Sequence, residues 1–421
     1  MKILNINFRD YGGGAVNASL RLTKSLIKND ITTNLGVYDK KTSLRFVIKL
    51  RRKHNKIITL LLSVLHHFLV FFCFKTDNSI VHDLNFFSKI DVNQINESDY
   101  DIIHLHGLDG NTLSIKDIAR IKKPIVWTLH DSWPCCGAEH HPDIINNDTR
   151  YKHKYNSKNK PDGSKYLDLC KYVWKQKKKY LTNKEIYFIA PSNWEYSIIK
   201  NSSLFCNNEC RIIPNIVEKS IFHKKNTTEI KEIFCIPFDK KIIGFGAAYG
   251  VDNPRSLKGT YYFLEALKKL ESSNDYYLII FGPTSSDFTS RINIPFFEAG
   301  YINNDIILSC LYNACDCFIN TSLVESFGYT SLESIFCGTP VVAFDSTGTK
   351  DIVKHKITGY LAELYNVSDL VNGIHYCIKN KDLIQSNCLT SAQTDFDENL
   401  ITKEHINYYN YIIKNSKKID Y

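Results

Sequence analysis

The sequence lacks the features that mark several protein classes. No secretory signal opens it, because residues 2–7 form too short and too polar a stretch for an apolar signal core. The 13 cysteines are scattered and do not form the framework of a small disulfide-rich domain. No low-complexity segment and no sequence repeat is visible. We therefore expect a cytoplasmic protein whose thiols are mostly reduced and buried.

Spacings typical of metal sites are also missing. Cysteines and histidines gather between residues 135 and 170, yet their spacing matches no standard zinc-binding pair. Asp-x-Asp patterns occur at 99–101 and 395–397, but one precedes a strand and the other lies near the tail. We treat both patterns as incidental and expect no metal or other cofactor.

The composition is that of a folded two-domain protein. Hydrophobic residues make up 43% and charged residues 23%, which excludes extensive disorder. A length of 421 residues predicts two domains of about 200 residues each. The net charge of +9 suits an anionic partner such as a nucleotide or a phospholipid surface. Basic runs such as 175–179 have no accompanying recognition motif, so we expect no nucleic-acid partner.

Two series of short apolar strands alternate with amphipathic helices. The strands are predicted at 2–7, 101–106, 124–130 and 186–190 in the first half and at 241–246, 277–281, 317–320 and 340–344 in the second. This alternation is typical of doubly wound parallel sheets, so the fold class is α/β with two Rossmann-like domains. A glycine turn at 11–14 follows the first strand, but it lacks the G-x-G-x-x-G spacing of dinucleotide-binding domains.

A charged stretch with no strand or helix pattern separates the two series. We place the N-terminal domain at 1–213, the linker at 214–228 and the C-terminal domain at 229–400. The remaining segment, 401–421, is predicted to form a helix that packs back on the N-terminal domain.

An apolar stretch at 57–74 follows a basic segment at 40–56, which holds eight Lys or Arg residues and no acidic one. A membrane span here would cut the first domain in two. A basic flank beside an apolar helix is typical of a segment that lies on an anionic membrane. We favour this interfacial helix, which predicts a protein peripheral on the inner face of the cell membrane. A helix packed within the protein and a membrane span stay open.

The segment 325–333 holds two acidic residues, Glu325 and Glu333, around a predicted helix start. Free N–H groups at that start suit a phosphate. A carboxylate, an anion-binding helix start and a second carboxylate match a sugar, its diphosphate and a ribose in that order. Two solvated acids are the alternative interpretation, but Gly328 between them allows the close approach of a ligand.

Several motifs together resemble the family 4 glycosyltransferases, which are retaining enzymes of the glycosyltransferase-B fold. The motifs are E-x7-E at 325–333, His104-Leu105-His106, the stretch 127–134, Ile213-Pro214-Asn215, and 351–353 leading to 358–360. The chain looks most similar to exopolysaccharide and colanic-acid-type members. The resemblance covers nearly the whole chain and implies two domains that face a central cleft.

The resemblance also implies residue roles. The catalytic set would be Glu325 beside the donor sugar, Lys258 and Arg255 at the leaving diphosphate, and His130 facing the sugar. The donor-binding set would be Glu333 at the ribose with Ser326, Phe327, Gly328, Tyr329, Gly13 and Gly14. Further candidates for lining the cleft are His104, His106 and Asp131. For His130 and Asp131, a general-base pair and a buried structural hydrogen bond stay open.

The function implied is a retaining transfer of a sugar from a nucleotide-diphosphate donor to a lipid-linked or polysaccharide acceptor. Its setting would be bacterial cell-surface glycan synthesis, as in exopolysaccharide, O-antigen or capsule. Retention without an obvious nucleophile implies front-face attack assisted by the leaving phosphate. The alternatives are a nucleotide-sugar epimerase on the same fold and a non-catalytic nucleotide- or membrane-binding protein.

Overall fold

The computed structural model describes residues 1–73, 80–160, 167–246, 256–270 and 273–416. The chain divides into two compact units, which we call the N-terminal and C-terminal units. The N-terminal unit comprises Met1–Asn215 and the segment from Ile401 onward, and the C-terminal unit is Ile216–Leu400.

The N-terminal unit is built on a parallel sheet. Its strands are β1 (Lys2–Arg9), β2 (Thr32–Asp39), β3 (Val47–Lys49), β4 (Ile102–Leu105), β5 (Ile125–Thr128), β6 (Ile186–Ala190) and β7 (Cys210–Ile212). Its first helices are α1 (Gly14–Lys28), α2 (Lys56–Cys73), α3 (Val92–Glu97), α4 (Ile115–Ala119), α5 (Leu169–Leu181) and α6 (Asn193–Lys200).

The strand order of this sheet is β3-β2-β1-β4-β5-β6-β7, and all neighbours are parallel. β4, β5 and β6 are buried at every residue. Helices cover both faces of such a sheet, which is why these strands read as continuous apolar runs. The order reverses between β1 and β4, and open α/β sheets bind ligands beyond the carboxyl ends of strands at such a point.

The C-terminal unit repeats this architecture. Its strands are β8 (Lys241–Gly246), β9 (Tyr276–Phe281), β10 (Phe296–Gly300), β11 (Cys317–Asn320), β12 (Val341–Phe344) and β13 (Gly359–Ala362). Its helices are α7 (Thr227–Ile233), α8 (Thr260–Lys269), α9 (Ser286–Thr289), α10 (Asp305–Ala314), α11 (Tyr329–Phe336), α12 (Val367–Lys379) and α13 (Lys381–Thr394), and α14 (Glu398–Ser416) ends the described chain.

The second sheet has the order β10-β9-β8-β11-β12-β13 and is also parallel throughout. Its order reverses between β8 and β11, so the segments that follow these two strands lie where a ligand is expected. The predicted fold class, two doubly wound parallel α/β domains, is confirmed.

The structure adds detail at two predicted boundaries. The predicted linker at 214–228 has no strand, and its Ile216, Val217 and Phe222 are buried in the C-terminal unit. In the N-terminal unit, α14 packs through buried polar contacts: the hydroxyls of Ser25 and Thr402 lie 2.6 Å apart.

The basic segment at 40–56 is more structured than the sequence suggested. It contains β3, which pairs with β2 at the edge of the sheet. Two of its cations are neutralised within the unit, because Arg51 pairs with Asp91 at 2.8 Å and Lys53 pairs with Asp117. Two of the eight basic residues of this segment are therefore paired with acidic residues of the same unit.

α2 exposes its apolar side chains and buries polar ones. Ile57, Leu60, Leu61 and Val64 are exposed at a spacing that puts them on one face, whereas His66 is buried. None of the helices in the described ranges combines the length and hydrophobicity that a membrane span requires.

Candidate active site

Lys258 and Glu325 form an ion pair at the carboxyl edge of the second sheet. The Lys258 ammonium donates to Glu325 Oε1 over 2.5 Å. Their side chains are 35% and 17% exposed, so both stay accessible to a ligand. Lys258 directly precedes Gly259, the N-cap residue of α8, and Glu325 lies in the loop between β11 and α11. The structure thus brings together two residues that are 67 positions apart in the sequence.

The backbone around Lys258 is fixed by a residue that must be glycine. Gly259 has φ of +65°, and a Cβ on it would lie 1.9 Å from the carbonyl oxygen of Thr321. The Thr321 hydroxyl donates to the Lys258 carbonyl oxygen over 2.9 Å. Only glycine allows this close approach of two loops, which holds Lys258 beside the loop that carries Glu325.

The loop after β12 supports Glu325 from the other side. Thr347 accepts a hydrogen bond from the Glu325 amide at 2.9 Å, and the Gly348 amide donates to the Glu325 carbonyl oxygen at 2.8 Å. A Cβ on Gly348 would lie 2.5 Å from the Ser326 carbonyl oxygen. The backbone of Glu325 is therefore held at both its N–H and its C=O.

The start of α11 has the features of an anion-binding site. Gly328 caps the helix with φ of +105°, and a helix start carries N–H groups that have no acceptor within the helix. The hydroxyl of Thr349 lies 3.5 Å from where a Gly328 Cβ would be, is buried, and has no hydrogen-bond partner in the described part of the chain. A phosphate oxygen would satisfy both the helix N–H groups and this hydroxyl.

Glu333, in the second turn of α11, is buried and accepts a hydrogen bond from the Tyr312 hydroxyl over 3.2 Å. It is not the solvated helix acid of the alternative interpretation. Among the other expected donor contacts, Ser326 and Phe327 are buried, and the Tyr329 hydroxyl donates to the Ile216 carbonyl oxygen.

The second expected phosphate ligand, Arg255, lies outside the described residues.

In the N-terminal unit, His130 and His106 lie at the carboxyl edge of the first sheet. His106 follows β4, His130 follows β5, and the two rings stack with His106 Nδ1 2.9 Å from His130 Nε2. Burial lowers the pKa of His130 to about 4, so its ring is neutral at physiological pH. The hydrogen bonds of the described residues join His130 to His106 and Asp131 to His140.

His104 is a core residue. It is fully buried, and its two ring nitrogens lie 2.8 Å from the Tyr409 hydroxyl and 2.7 Å from the Thr128 hydroxyl. Burial lowers its pKa well below the ordinary value. In this structure it joins α14 to the sheet instead of facing a ligand.

The glycine turn after β1 caps α1. Gly13 has φ of +91°, and a Cβ on it would meet nothing within 4 Å. Gly14 is the first residue of α1. Gly13 is therefore needed for its backbone conformation, and the space beside it is open.

Asp131 is the most exposed member of a chain of contacting carboxylate and imidazole side chains. Its Oδ2 accepts from His140 Nδ1 over 2.7 Å, and His140 Nε2 lies 3.1 Å from Asp83 Oδ2. Asp83 Oδ1 in turn lies 3.3 Å from His66 Nε2 on α2. We call His66, Asp83, His140 and Asp131 the carboxylate–imidazole chain.

In three members of this chain, Asp131, His140 and Asp83, the surroundings favour the charged form. Burial alone would lower the pKa of His140, but the carboxylates of Asp131 and Asp83 outweigh it and raise that pKa well above its ordinary value. Burial would likewise raise the pKa of both carboxyls, but their hydrogen bonds and charge interactions with histidine hold them below the ordinary range. The sequence drew attention to His140 only as one of the cysteines and histidines between residues 135 and 170, and it gave no sign of Asp83, which lies 57 residues before His140.

Metal ligation finds no support in the parts of the chain that the structure describes. No three His, Cys, Asp or Glu side chains are grouped there so as to hold an ion. The described cysteines carry free thiols, including Cys135, Cys136 and Cys170, which are buried.

Comparison with known proteins identifies the C-terminal unit. Residues 229–388 match the family described as Glycosyl transferases group 1. The chain is 27% identical over 237 residues to the N,N'-diacetylbacillosaminyl-diphospho-undecaprenol alpha-1,3-N-acetylgalactosaminyltransferase of Campylobacter jejuni, which covers 54% of this chain and 60% of that protein. It is 21% identical over 182 residues to the N-acetyl-alpha-D-glucosaminyl L-malate synthase of Bacillus anthracis, which covers 42% of this chain and 46% of that protein. The matches thus span about half the length of these relatives.

Solved structures of the same fold cover almost the whole chain. A glycosyltransferase from Rickettsia africae has a TM-score of 0.67 and 19% identity and covers 98% of this chain and 99% of its own. Anabaena HepE in complex with UDP and glucose has a TM-score of 0.66 and 16% identity and covers 98% of this chain and 100% of its own. Residues 229–388 therefore match the glycosyl transferases group 1 family, and the two α/β units of the chain have the glycosyltransferase-B fold.

Proposed function

We propose that this chain is a glycosyltransferase that uses a nucleotide-diphosphate sugar as donor. The observation that carries the proposal is the ion pair of Lys258 and Glu325 beside the capped start of α11, where the buried Thr349 hydroxyl has no partner in the described ranges. A cation, helix N–H groups and a hydroxyl suit a diphosphate, and a carboxylate suits the hydroxyls of a sugar. The C-terminal unit would thus bind the donor.

The proposed chemistry is transfer with retention. The bond from the anomeric carbon to the diphosphate oxygen breaks, the acceptor oxygen bonds to the same face of that carbon, and the diphosphate takes the acceptor proton. Lys258, with Arg255, would stabilise the negative charge that develops on the leaving diphosphate. Glu325 would hold the donor sugar in place, and Glu333 would contact the nucleotide.

The acceptor proposed is lipid-linked, and the N-terminal unit would bind it. The name of the Campylobacter jejuni relative specifies a sugar carried on diphospho-undecaprenol, which supports this acceptor class. The complex of Anabaena HepE with UDP supports a uridine nucleotide in the donor. His130 would face the donor sugar, Gly13 and Gly14 would make room for the donor phosphates or the acceptor, and the product would serve a cell-surface glycan of the exopolysaccharide, O-antigen or capsule type.

The exposed face of α2 fits a lipid surface, which supports a peripheral place on the inner membrane face. Ile57, Leu60, Leu61 and Val64 form an apolar stripe, and Lys56 starts the same helix. The exposed Lys49 and Lys56 make no ion pair within the described ranges, so their charges are available to an anionic headgroup.

Replacing Leu60, Leu61 and Val64 with serine should lower binding to anionic vesicles at least about tenfold, because moving each such side chain out of water is favourable by about 1.5–3 kcal/mol. The measurement is flotation with vesicles of phosphatidylglycerol and phosphatidylethanolamine. The matched control is Leu383→Ser, which removes an equally exposed leucine from α13. Equal flotation of the triple variant and the wild type would contradict the proposal.

The activity is tested with UDP-glucose, UDP-galactose, UDP-N-acetylglucosamine and UDP-N-acetylgalactosamine as donors. The acceptor is farnesyl-diphospho-N-acetylglucosamine, and products are read by mass spectrometry. We expect one donor to give an acceptor enlarged by one sugar. Conversion of a donor without use of the acceptor would point to an epimerase instead, and no change in any donor would contradict the proposed function.

A further inference from the structure

We propose that Asp131 is an acceptor-binding carboxylate and that His140 and Asp83 are the positioning residues that hold it. The inference rests on the proposed function and assigns a residue set on the acceptor side of it.

Asp131 sits where a ligand is expected. At the end of β5, Thr128 pairs with Ile189 of β6, and the Leu129 amide donates to the Ile189 carbonyl oxygen. Asp131 lies two residues after Leu129, next to the point where open parallel sheets bind their ligands. Its side chain is 28% exposed, whereas those of Asp83, His66 and His140 are 8%, 8% and 14% exposed. Asp131 is therefore the end of the chain that a substrate can reach.

The orientation of the Asp131 carboxylate is fixed at both oxygens. Oδ2 accepts from His140, and Oδ1 accepts from the Trp133 amide over 2.9 Å. A carboxylate has about four acceptor positions, so two remain after these bonds. They suit the hydroxyl groups of a sugar, which a fixed carboxylate can bind at a defined distance and angle.

Asp83 holds the other side of His140 and ties it to the surrounding structure. Its backbone carbonyl accepts from Trp133 Nε1 over 2.8 Å, and its amide donates to the Ala138 carbonyl oxygen over 2.8 Å. His66 adds a contact from α2. A displacement of Asp83 would therefore move the His140 ring, and with it the Asp131 carboxylate that this ring holds.

A buried lysine fastens the loop between Asp131 and His140. The Lys177 ammonium on α5 donates to the carbonyl oxygens of Trp133, of Cys136 at 3.1 Å and of Gly137 at 2.7 Å. It also lies 3.5 Å from the centre of the Trp133 ring. The loop whose Trp133 amide donates to Asp131 is thus held in place by a side chain of α5.

The contacts of the carboxylate–imidazole chain orient the Asp131 carboxylate more than they stabilise the fold. Buried ion pairs add little net stability compared with apolar side chains of similar volume. The carboxylate–imidazole chain nevertheless fixes the partly exposed carboxylate of Asp131 through three other polar side chains. Such support is what a substrate-positioning group needs, since a misplacement of about 1 Å can cost a reaction about 100-fold.

The test compares Asp131→Asn, His140→Ala, His140→Gln and Asp83→Asn with the wild type in the full-length chain. It uses farnesyl-diphospho-N-acetylglucosamine and the UDP-sugar that the wild type accepts. We expect His140→Ala and Asp131→Asn to lower kcat/KM for the acceptor about 100-fold, mainly through KM. His140→Gln keeps an N–H donor and should recover part of the loss. The KM for the UDP-sugar and its hydrolysis without acceptor should stay within about twofold, because the donor site lies in the other unit.

The matched control is Asp117→Asn. Asp117 is also a buried carboxylate of the N-terminal unit, and it forms ion pairs with Lys53 and Arg120. Within the described ranges it does not contact any member of the carboxylate–imidazole chain. Its acceptor KM should not change. An unchanged acceptor KM in both His140→Ala and Asp131→Asn would overturn the inference about Asp131 and leave the proposed function standing. The same holds if Asp117→Asn lowered kcat/KM for the acceptor as much as those two variants do. Absence of transfer by the wild type with every donor would overturn the proposed function and the inference together.

Discussion

Replacing Lys258 with alanine should lower the rate of sugar transfer by about 100- to 1,000-fold. The reason is that a fixed donor aimed at the charge of a leaving diphosphate stabilises the transition state by about 2.7–4 kcal/mol. The variant also leaves Glu325 without its ion-pair partner, so that an uncompensated carboxylate faces the donor. The measurement is kcat and kcat/KM with the UDP-sugar that the wild type uses.

The fold should survive this change, because an ion pair as exposed as that of Lys258 contributes little to stability. The control is Lys268→Ala, which breaks the ion pair of Lys268 with Glu265 at 2.6 Å on α8, away from the loop. Because Lys258 and Glu325 are in contact, the double variant with Glu325→Ala should lose less than the product of the two single losses. Wild-type rates in Lys258→Ala would remove the assigned role.

Replacing Asp83 with alanine should lower the free energy of unfolding of the N-terminal unit by about 3–5 kcal/mol. The substitution removes the shared partner of His140 and His66 and leaves buried charge uncompensated. The Gly110 amide, which donates to both Asp83 oxygens at 3.3 Å, also loses its acceptor. The measurement is urea unfolding followed by circular dichroism.

The difference between wild type and Asp83→Ala should depend on pH in both directions. Asp83 has a lowered pKa in the folded state, so its contribution is present above the unfolded value of about 3.9 and is lost as pH falls. His140 has a raised pKa, so its contribution is full below the unfolded value of about 6.5 and is lost as pH rises through the folded value. The difference should therefore be largest between about pH 5 and pH 6.5.

A suitable control is Asp99→Ala in the same unit. Asp99 forms an exposed pair with Lys2, and its loss should change the stability by less than about 0.5 kcal/mol at any pH. If Asp83→Ala were no less stable than Asp99→Ala, the carboxylate–imidazole chain would not be the charged network that its distances indicate.

The parts of the fold with strong periodic or continuous apolar patterns were predictable from the sequence. β4, β5 and β6 are buried on both faces and were recognised as apolar runs. The strands β2 and β3 were not predicted, and β3 is an edge strand in which three residues of a basic segment pair with β2. An edge strand is covered on one side only and needs no apolar run, so its sequence resembles a loop.

Local sequence patterns indicated the candidate site only where its residues lie close together, whereas Lys258, 67 positions from Glu325, was predicted through the family resemblance. Glu325, Gly328 and Glu333 stand in one short motif, and the structure places them around the start of α11. Thr349 and Gly348 lie in the loop after β12 and contact the segment 325–328. This loop lies beside that segment because β11 pairs with β12. The carboxylate–imidazole chain joins α2, the segment around Asp83 and the loop after β5, so no single local pattern could indicate it.

Calorimetric titration of the purified protein with UDP and with GDP tests the central claim most directly. That claim is that Lys258, Glu325 and the start of α11 form a site for a nucleoside diphosphate. The account predicts binding of one of the two nucleotides with one site per chain, weakened at least about tenfold in Lys258→Ala and in Thr349→Val. The account would be contradicted if the wild type bound neither nucleotide. It would also be contradicted if Lys258→Ala and Thr349→Val both bound the nucleotide as tightly as the wild type.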